Sequence, residues 1–384
     1  MRVFITGYGL SKISKWFGET LEDLAFKSVK DIENKGGELR EIDALIVANS
    51  FGGILQSQNL LSSLIAEDIG FSGKLTMTVE NGGASGASAV LTASSLVKSG
   101  LAKNVLVIGV EKMSDYIGSV FNHSISTFMN AEHEAFYGST LASGFAILAR
   151  SYLSKYKYSE GDLGAWPILM HENALDVPHA QLKFKITEEQ VNSSDIVASP
   201  LRVLHSPPVS DGSAAVIVSA EDSSIPKEKR LAEIKFGYSS SHLMELSLRE
   251  NLDEFYALKC VKDALEKGSS IDIKKVDLIE ISDDYTISAP IIIEGLGLSD
   301  KGSGLRSILD GRYRLGDKPS INVTGGTKSR GHPFGATGVY QVAEVTSLLS
   351  DGKAKGARVN GELGLVVSMG GIGTVLSGIL LEKV

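Results

Sequence analysis

The feature that most constrains this chain is that its strongest β-type runs are apolar on successive residues rather than alternately. Val105-Leu106-Val107-Ile108, Ala214-Ala215-Val216-Ile217-Val218 and Leu365-Val366-Val367 all read this way. A strand of that kind needs cover on both faces, which a sheet with one wet face does not provide. Between such runs lie longer helical stretches, and the 41 glycines gather at the run ends. This alternation predicts parallel α/β architecture. The strands expected are Ala44 to Ala48, Leu75 to Val79, Val105 to Val110, Ala214 to Ser219, Leu278 to Ile281, Ile321 to Val323, Leu365 to Ser368 and Val375 to Leu381.

The order of elements occurs twice. In the first half a strand at 42–47 is followed by a second at 75–79, the turn Gly82-Gly83-Ala84-Ser85-Gly86, and a small-residue helix from about Ala87 to Lys98. In the second, Val276 to Ile281 is followed by Ile321-Asn322-Val323, a turn containing Gly331-His332-Pro333, and a helix from about Gly338 to Leu349. Two copies of one βαβ unit are expected. A stretch from about 116 to 204 interrupts the first copy and carries most of the histidines. An insertion of that length usually caps a site.

Composition narrows the function. The net charge is −8 with no long basic stretch, so nucleic acid and anionic membrane surfaces are not expected as principal partners. No apolar run reaches 18 residues, so no membrane span is expected, and Met1 to Gly7 reads as a strand running into a turn rather than as a signal peptide. The single cysteine, Cys260, permits no intramolecular disulfide and no four-thiolate zinc site. That fits a reducing cytoplasm. Leu258, Val261 and Leu265 around it predict a core thiol.

Three glycine-rich segments carry candidate chemistry. Val79-Glu80-Asn81-Gly82-Gly83-Ala84-Ser85-Gly86 takes a strand into a helix start, where free N–H groups favour negative charge. Gly331-His332-Pro333 holds an imidazole on a stiff turn, where it can donate a hydrogen bond or shuttle a proton. Ser368-Met369-Gly370-Gly371-Ile372-Gly373 offers backbone N–H groups as an oxyanion nest. Taken singly, each is better read as an ordinary structural turn, loop or hairpin.

Together, in order and spacing, the three segments resemble the thiolase superfamily, and within it the archaeal and sterol-carrier-protein-type branch. Further similarity lies in Val105 to Ser114, in Phe136-Tyr137-Gly138-Ser139-Thr140 as the start of the insert's long helix, and in Pro208-Val209-Ser210-Asp211-Gly212-Ser213-Ala214-Ala215. Asn322-Val323-Thr324-Gly325-Gly326 followed by Gly331-His332-Pro333-Phe334-Gly335-Ala336-Thr337-Gly338 is close to the family's "NxxGG…GHPxGATG". The resemblance implies an α/β, thiolase-like five-layer αβαβα fold from two related halves with an inserted loop domain. Its expected division is 1–115 for the first part of the N-terminal half, 116–204 for the inserted cap, 205–225 for that half's last strand and 226–384 for the C-terminal half. It implies acyl-CoA as ligand with nothing held covalently, no metal, and a homodimer or homotetramer. Asn322, Gly325, Gly326 and Phe334 are the positions it assigns to coenzyme A. In archaea it further suggests an assembly with hydroxymethylglutaryl-CoA synthase and a small zinc-ribbon/OB-fold protein.

The departures from the family pattern bear on catalysis. The family's "VE(N/A)xCASG" places its nucleophilic cysteine at Gly83, which has no side chain to acylate. The histidine of "HDxF" falls on Ser282 in Ser282-Asp283-Asp284-Tyr285. At the last turn, Gly371 is preceded by neither thiol nor imidazole, leaving His332 alone among the usual side chains. His133-Glu134-Ala135-Phe136 imitates the histidine motif but lies in the insert, and reads as a coincidence of helix-start sequence. The expectation is an acyl-CoA-binding protein of the acyl-CoA C-acyltransferase (acetyl-CoA acetyltransferase) family without acyl-cysteine chemistry. His332 and the N–H groups of Gly83 and Gly371 would polarise a thioester. The alternative is a non-catalytic subunit or scaffold of an acetoacetyl-CoA thiolase and hydroxymethylglutaryl-CoA synthase assembly. If the pocket is intact, a Gly83→Cys variant would accept an acyl group.

Overall fold

The computed structural model describes every residue except 352, 355, 356, 359 and 360. Ten strands form one large sheet: β1 (Val3–Leu10), β2 (Ala44–Ala48), β3 (Leu75–Val79), β4 (Asn104–Glu111), β5 (Gly212–Ala220), β6 (Ala232–Ser241), β7 (Leu278–Ile281), β8 (Ser320–Ile321), β9 (Leu363–Gly370) and β10 (Val375–Lys383). Outward from the middle, the first half runs β1-β5-β4-β2-β3 and the second runs β6-β10-β9-β7-β8. The two orders are the same permutation, so the repeat read from the sequence is a repeat of topology. The halves join where β1 meets β6 antiparallel, through only Phe4 opposite Glu233 and Ile5 opposite Ala232.

One expectation changes. Only the three outer strands of each half are parallel; β5 and β10 run antiparallel to both of their neighbours. Successive apolar residues report cover on both faces, and here helices supply that cover whatever the strand direction. The strand β6 went unread because its outer half, Tyr238-Ser239-Ser240-Ser241, is polar and partly exposed. At the other end, β8 stops at Ile321 rather than Val323, because Asn322 takes a positive φ of 50°.

Helices complete the layers. Leu21–Asn34 (α1) packs on β1 and β5, and Tyr256–Ser269 (α5) packs on β6 and β10. Between the half-sheets, Ser85–Lys98 (α2) and Phe334–Asp351 (α6) pack on each other and on strands of both halves. The layer order is therefore α1, half-sheet, α2 with α6, half-sheet, α5. The two central helices cross on glycine: a side-chain carbon added at Gly338 would lie 2.2 Å from the Ala87 nitrogen, and one at Gly86 would lie 2.5 Å from the Val339 nitrogen. Both helices present small residues because each must touch a helix and two sheets.

The segment between β4 and β5 contains Leu141–Tyr156 (α3) and Ala165–Ala174 (α4). Thr140 caps α3 by a reciprocal box with Ser143, as its place before the apolar run suggests. Phe145, Tyr152, Trp166 and Met170 share one core with Leu258, Ile281 and Ile291, so this segment is packed onto the second half. Among the described residues no helix is long and apolar enough to cross a membrane.

Candidate functional site

The site forms where the three glycine-rich turns converge between the half-sheets. The second turn supplies its side chains. A π-helical turn, Gly326–Arg330, leads into Gly331, whose φ of 114° suits glycine, and then into His332. The His332 N–H donates to Ser210 Oγ at 2.9 Å, which ties it to the start of β5. Its ring is fully buried, lies 4.0 Å centroid to centroid from Phe334, and pairs Nδ1 with Thr337 Oγ1 at 2.8 Å. Among the described residues, Nε2 has no hydrogen-bond partner; it lies 3.6 Å from Asp284 Oδ1, which is buried and also without one.

Burial sets the charge of this pair. Desolvation, with the Arg330 charge behind it, depresses His332 to about 3. Desolvation, with Asp283 beside it, holds Asp284 well above the usual carboxylate range. Burial thus works against the charged form of both groups where they face each other.

The first turn supplies backbone only. A side-chain carbon at Gly83 would lie 3.5 Å from His332 Cε1 and 3.7 Å from Nε2, so this position faces the imidazole. The same carbon would lie 2.5 Å from the Met369 carbonyl oxygen. The third turn, the β9–β10 hairpin, thus occupies the space a side chain at 83 needs. It also places Gly370 Cα 3.3 Å, and the Gly371 nitrogen 3.5 Å, from a side-chain carbon at Gly82. The proviso attached to Gly83→Cys is therefore not met as the chain stands, because the hairpin backbone is closed over the position.

Next to His332 lies a cavity of about 60 Å³, lined among others by Met113, Phe121, Ile125, Asp284, Tyr285 and Phe334. That is roughly two water molecules' worth of space. Phe334 borders it. Asn322, Gly325 and Gly326 do not. Asn322 Oδ1 accepts from Ile281 N (2.7 Å) and its Nδ2 donates to Ile281 O (3.1 Å), extending the ladder beyond β7. A side-chain carbon at Gly325 would meet Ala174 Cβ at 2.7 Å, and one at Gly326 would meet Asp283 Oδ1 at 2.5 Å. These three hold the packed floor behind the site. Ser282 is likewise committed: its Oγ accepts the Met369 N–H at 3.1 Å and anchors the hairpin. Cys260 is only half-buried; Ala257, Leu258, Val261 and Leu265 form the inward face of α5, and the thiol falls beside that face rather than in the core. His133 is exposed and pairs with Glu245 at 2.8 Å.

Two acidic residues were missed in the sequence. Asp284 was one letter in a degenerate motif. Glu111 lay at the end of an apolar strand, and its carboxylate accepts from Ser50 N and Gly335 N (2.9 Å each), Phe51 N (3.1 Å) and Asn49 Nδ2 (2.9 Å). It clamps β2's end and the first turn of α6 to β4. Burial outweighs those donors and pushes it up to about 7.

Comparison with known proteins agrees with this architecture. Residues 14–222 match the family description "Thiolase, N-terminal domain" and residues 238–383 match "Thiolase C-terminal domain-like". An acetyl-CoA acetyltransferase of Methanocaldococcus jannaschii is 36% identical, with 99% of each chain covered. In structure the chain is similar to an Ltp2-ChsH2(DUF35) aldolase, at TM-score 0.83 and 22% identity over 100% of this chain and 98% of the other. It is also similar to human mitochondrial 3-ketoacyl-CoA thiolase in complex with CoA, at TM-score 0.75 and 16% identity over 100% and 98%. A repeated five-strand half, three converging glycine turns and a full-length relative of this identity have one explanation: the chain belongs to the thiolase family.

Proposed function

We propose that this protein binds acyl-CoA thioesters beside His332 and has no acyl-cysteine step. The observation that carries the proposal is the pairing of Gly83 with His332. In the family pattern the facing position holds the nucleophile; here it holds no side chain, and the Met369 carbonyl packs into its place. What remains is a polar, water-poor point with His332, Asp284 and the backbone of Gly83 and Gly371, in surroundings that strengthen any hydrogen bond to a carbonyl oxygen. The coenzyme A in the human thiolase structure and the name of the archaeal relative support the ligand class. Phe334 is the proposed contact for the acyl end. We take the protein as cytoplasmic and as a homodimer or homotetramer, divided at the boundaries given above.

A second reading rests on the size of the cavity. About 60 Å³ is well below the roughly 300–1,000 Å³ of most ligand pockets. A site this closed suits a non-catalytic subunit that keeps the fold and lends a surface. The DUF35 partner in the similar aldolase assembly favours a small zinc-ribbon/OB-fold protein for that role, with hydroxymethylglutaryl-CoA synthase as a further member.

Calorimetry with CoA and acetyl-CoA, followed by an acetoacetyl-CoA thiolysis assay and intact-mass analysis, separates the readings. The proposal expects binding, no thiolysis and no acyl adduct. Thiolysis with an adduct would overturn it. No binding of either thioester or CoA would leave the subunit reading.

A further inference from the structure

Two carboxyl groups stand side by side after β7, and the fold treats them oppositely. Asp283 accepts from Trp166 Nε1 (2.8 Å), Thr327 N (2.7 Å) and Thr327 Oγ1 (2.9 Å), a complete set of structural bonds. Asp284 is also buried, yet among the described residues its Oδ1 has no hydrogen bond; it points instead at His332 Nε2, another buried atom without a partner there, across 3.6 Å. Both residues line the same cavity. A buried carboxyl with one oxygen left unbonded costs a fold several kcal/mol if charged, and an apolar residue would pack there without that cost. Two such orphans aimed at one small cavity point to a ligand atom that completes them.

We propose that Asp284 is a catalytic residue, acting with His332 as an acid–base pair on the carbonyl of a bound acyl-CoA. The proposal rests on the acyl-CoA reading above and gives it a reaction class: keto–enol proton exchange at the carbon next to the thioester. In the step, His332 Nε2 takes a proton from that carbon while Nδ1–H donates to Thr337 Oγ1. The C–H electron pair becomes the C=C bond. The carbonyl π pair takes the Asp284 proton and becomes the enol O–H. The products are an enol, an imidazolium and a carboxylate 3.6 Å away, a pair that stabilises both charges once they form. Reversal restores all three groups, and nothing is oxidised or reduced. The environment favours the forms the step requires: burial favours the protonated Asp284, and burial with Arg330 favours the neutral His332. Gly83 presents no side chain to the imidazole, and the Met369 carbonyl packs beside it.

The test uses the whole protein with acetyl-CoA in D₂O, following methyl deuteration by mass spectrometry beside calorimetry with CoA. Wild type is expected to bind and to exchange above the enzyme-free rate. Asp284→Asn, nearly the same shape, is expected to exchange on the order of 10²-fold more slowly, the usual worth of a general acid. Its melting temperature should be equal or higher, because the amide keeps an acceptor oxygen for the backbone N–H that the carboxyl meets. An Asp284→Asn rate equal to wild type overturns the proposal. So does a lowered melting temperature, which would make the carboxyl structural, or a wild type that binds acetyl-CoA without exchange. A wild type that binds neither CoA nor acetyl-CoA overturns the acyl-CoA reading itself, and is recognised as such by the calorimetry.

Discussion

The two halves of the molecule share one strand permutation, yet the turn after the third strand is made of opposite materials in each. In the first half it is Asn81 to Ser85, nearly all backbone, with Ser85 Oγ accepting the Asn81 N–H to hold it tight. In the second half the same place in the topology carries Thr327, Lys328, Arg330, His332 and Thr337, all buried. Duplication supplied two equivalent corners facing each other across α2 and α6. One became a bare platform and the other a densely bonded polar wall. A site between them needs both: a wall to hold proton-transferring groups, and a platform that takes up no room.

The comparison is broken most severely by unbalancing the wall. Arg330 is completely buried and ion-paired to Glu344, which also receives His179 Nε2 at 2.6 Å. Glu344→Ala removes the carboxylate that is hydrogen-bonded to a buried guanidinium, leaving Glu280 and Asp283 near it, and should cost about 3–5 kcal/mol. Urea denaturation gives the number, and a loss under 1 kcal/mol would mean that water reaches Arg330.

On the platform side, Gly83→Cys adds a side chain where the Met369 carbonyl lies 2.5 Å away. Overpacking against backbone typically costs about 1–3 kcal/mol. The variant is expected to melt lower and to show no acyl adduct after incubation with acetyl-CoA. An adduct at full stability would show that the hairpin moves aside easily, and that the platform was a thiol site in waiting.

How much of this was readable beforehand follows from the same contrast. Glycine turns announce themselves, so the platform, the hairpin and His332 were all located from sequence, and the doubled strand order came with them. The wall did not announce itself. Asp284 and Glu111 are single acids whose meaning depends on which distant N–H groups or imidazole they meet, and nothing local records that. Asn322, Gly325 and Gly326 illustrate the converse: they fit a family motif, and the fold also uses them for a ladder extension and two close approaches, visible only with α4 and Asp283 in place. Strand direction was misjudged for β5 and β10 because burial on both faces is a property of the layers, not of parallel pairing.

Proton linkage offers a milder probe of the wall. His332 is depressed to about 3, and His205 and His171 to about 4, each chiefly by burial. For a histidine held below its unfolded value of 6.5, the neutral form's stability is fully present above pH 6.5 and is lost as pH falls toward the folded value. Glu111, raised to about 7, acts oppositely in the overlapping range: its contribution falls as pH rises from about 4.5 to 7. The wild-type curve mixes the two signs, so the informative quantity is a difference. Relative to wild type, His332→Gln should regain about 2 kcal/mol between pH 6.5 and about pH 5, the equivalent of 1.5 pH units for one group. Urea midpoints at the two pH values measure it; parallel curves would mean that His332 is protonated in the folded protein.

The smallest effect expected tests how the platform is held. The Met369 N–H has Ser282 Oγ as its acceptor, at the point where the β7–β9 ladder would otherwise end. Ser282→Ala leaves that buried donor without a partner, which should cost about 1–2 kcal/mol. If Ser282 only anchors the hairpin, the loss appears in the melting temperature while deuterium exchange into acetyl-CoA changes less than a few-fold. If exchange instead falls as far as in Asp284→Asn, the hydroxyl belongs to the wall's chemistry, and the division between a bare platform and a reactive wall is drawn in the wrong place.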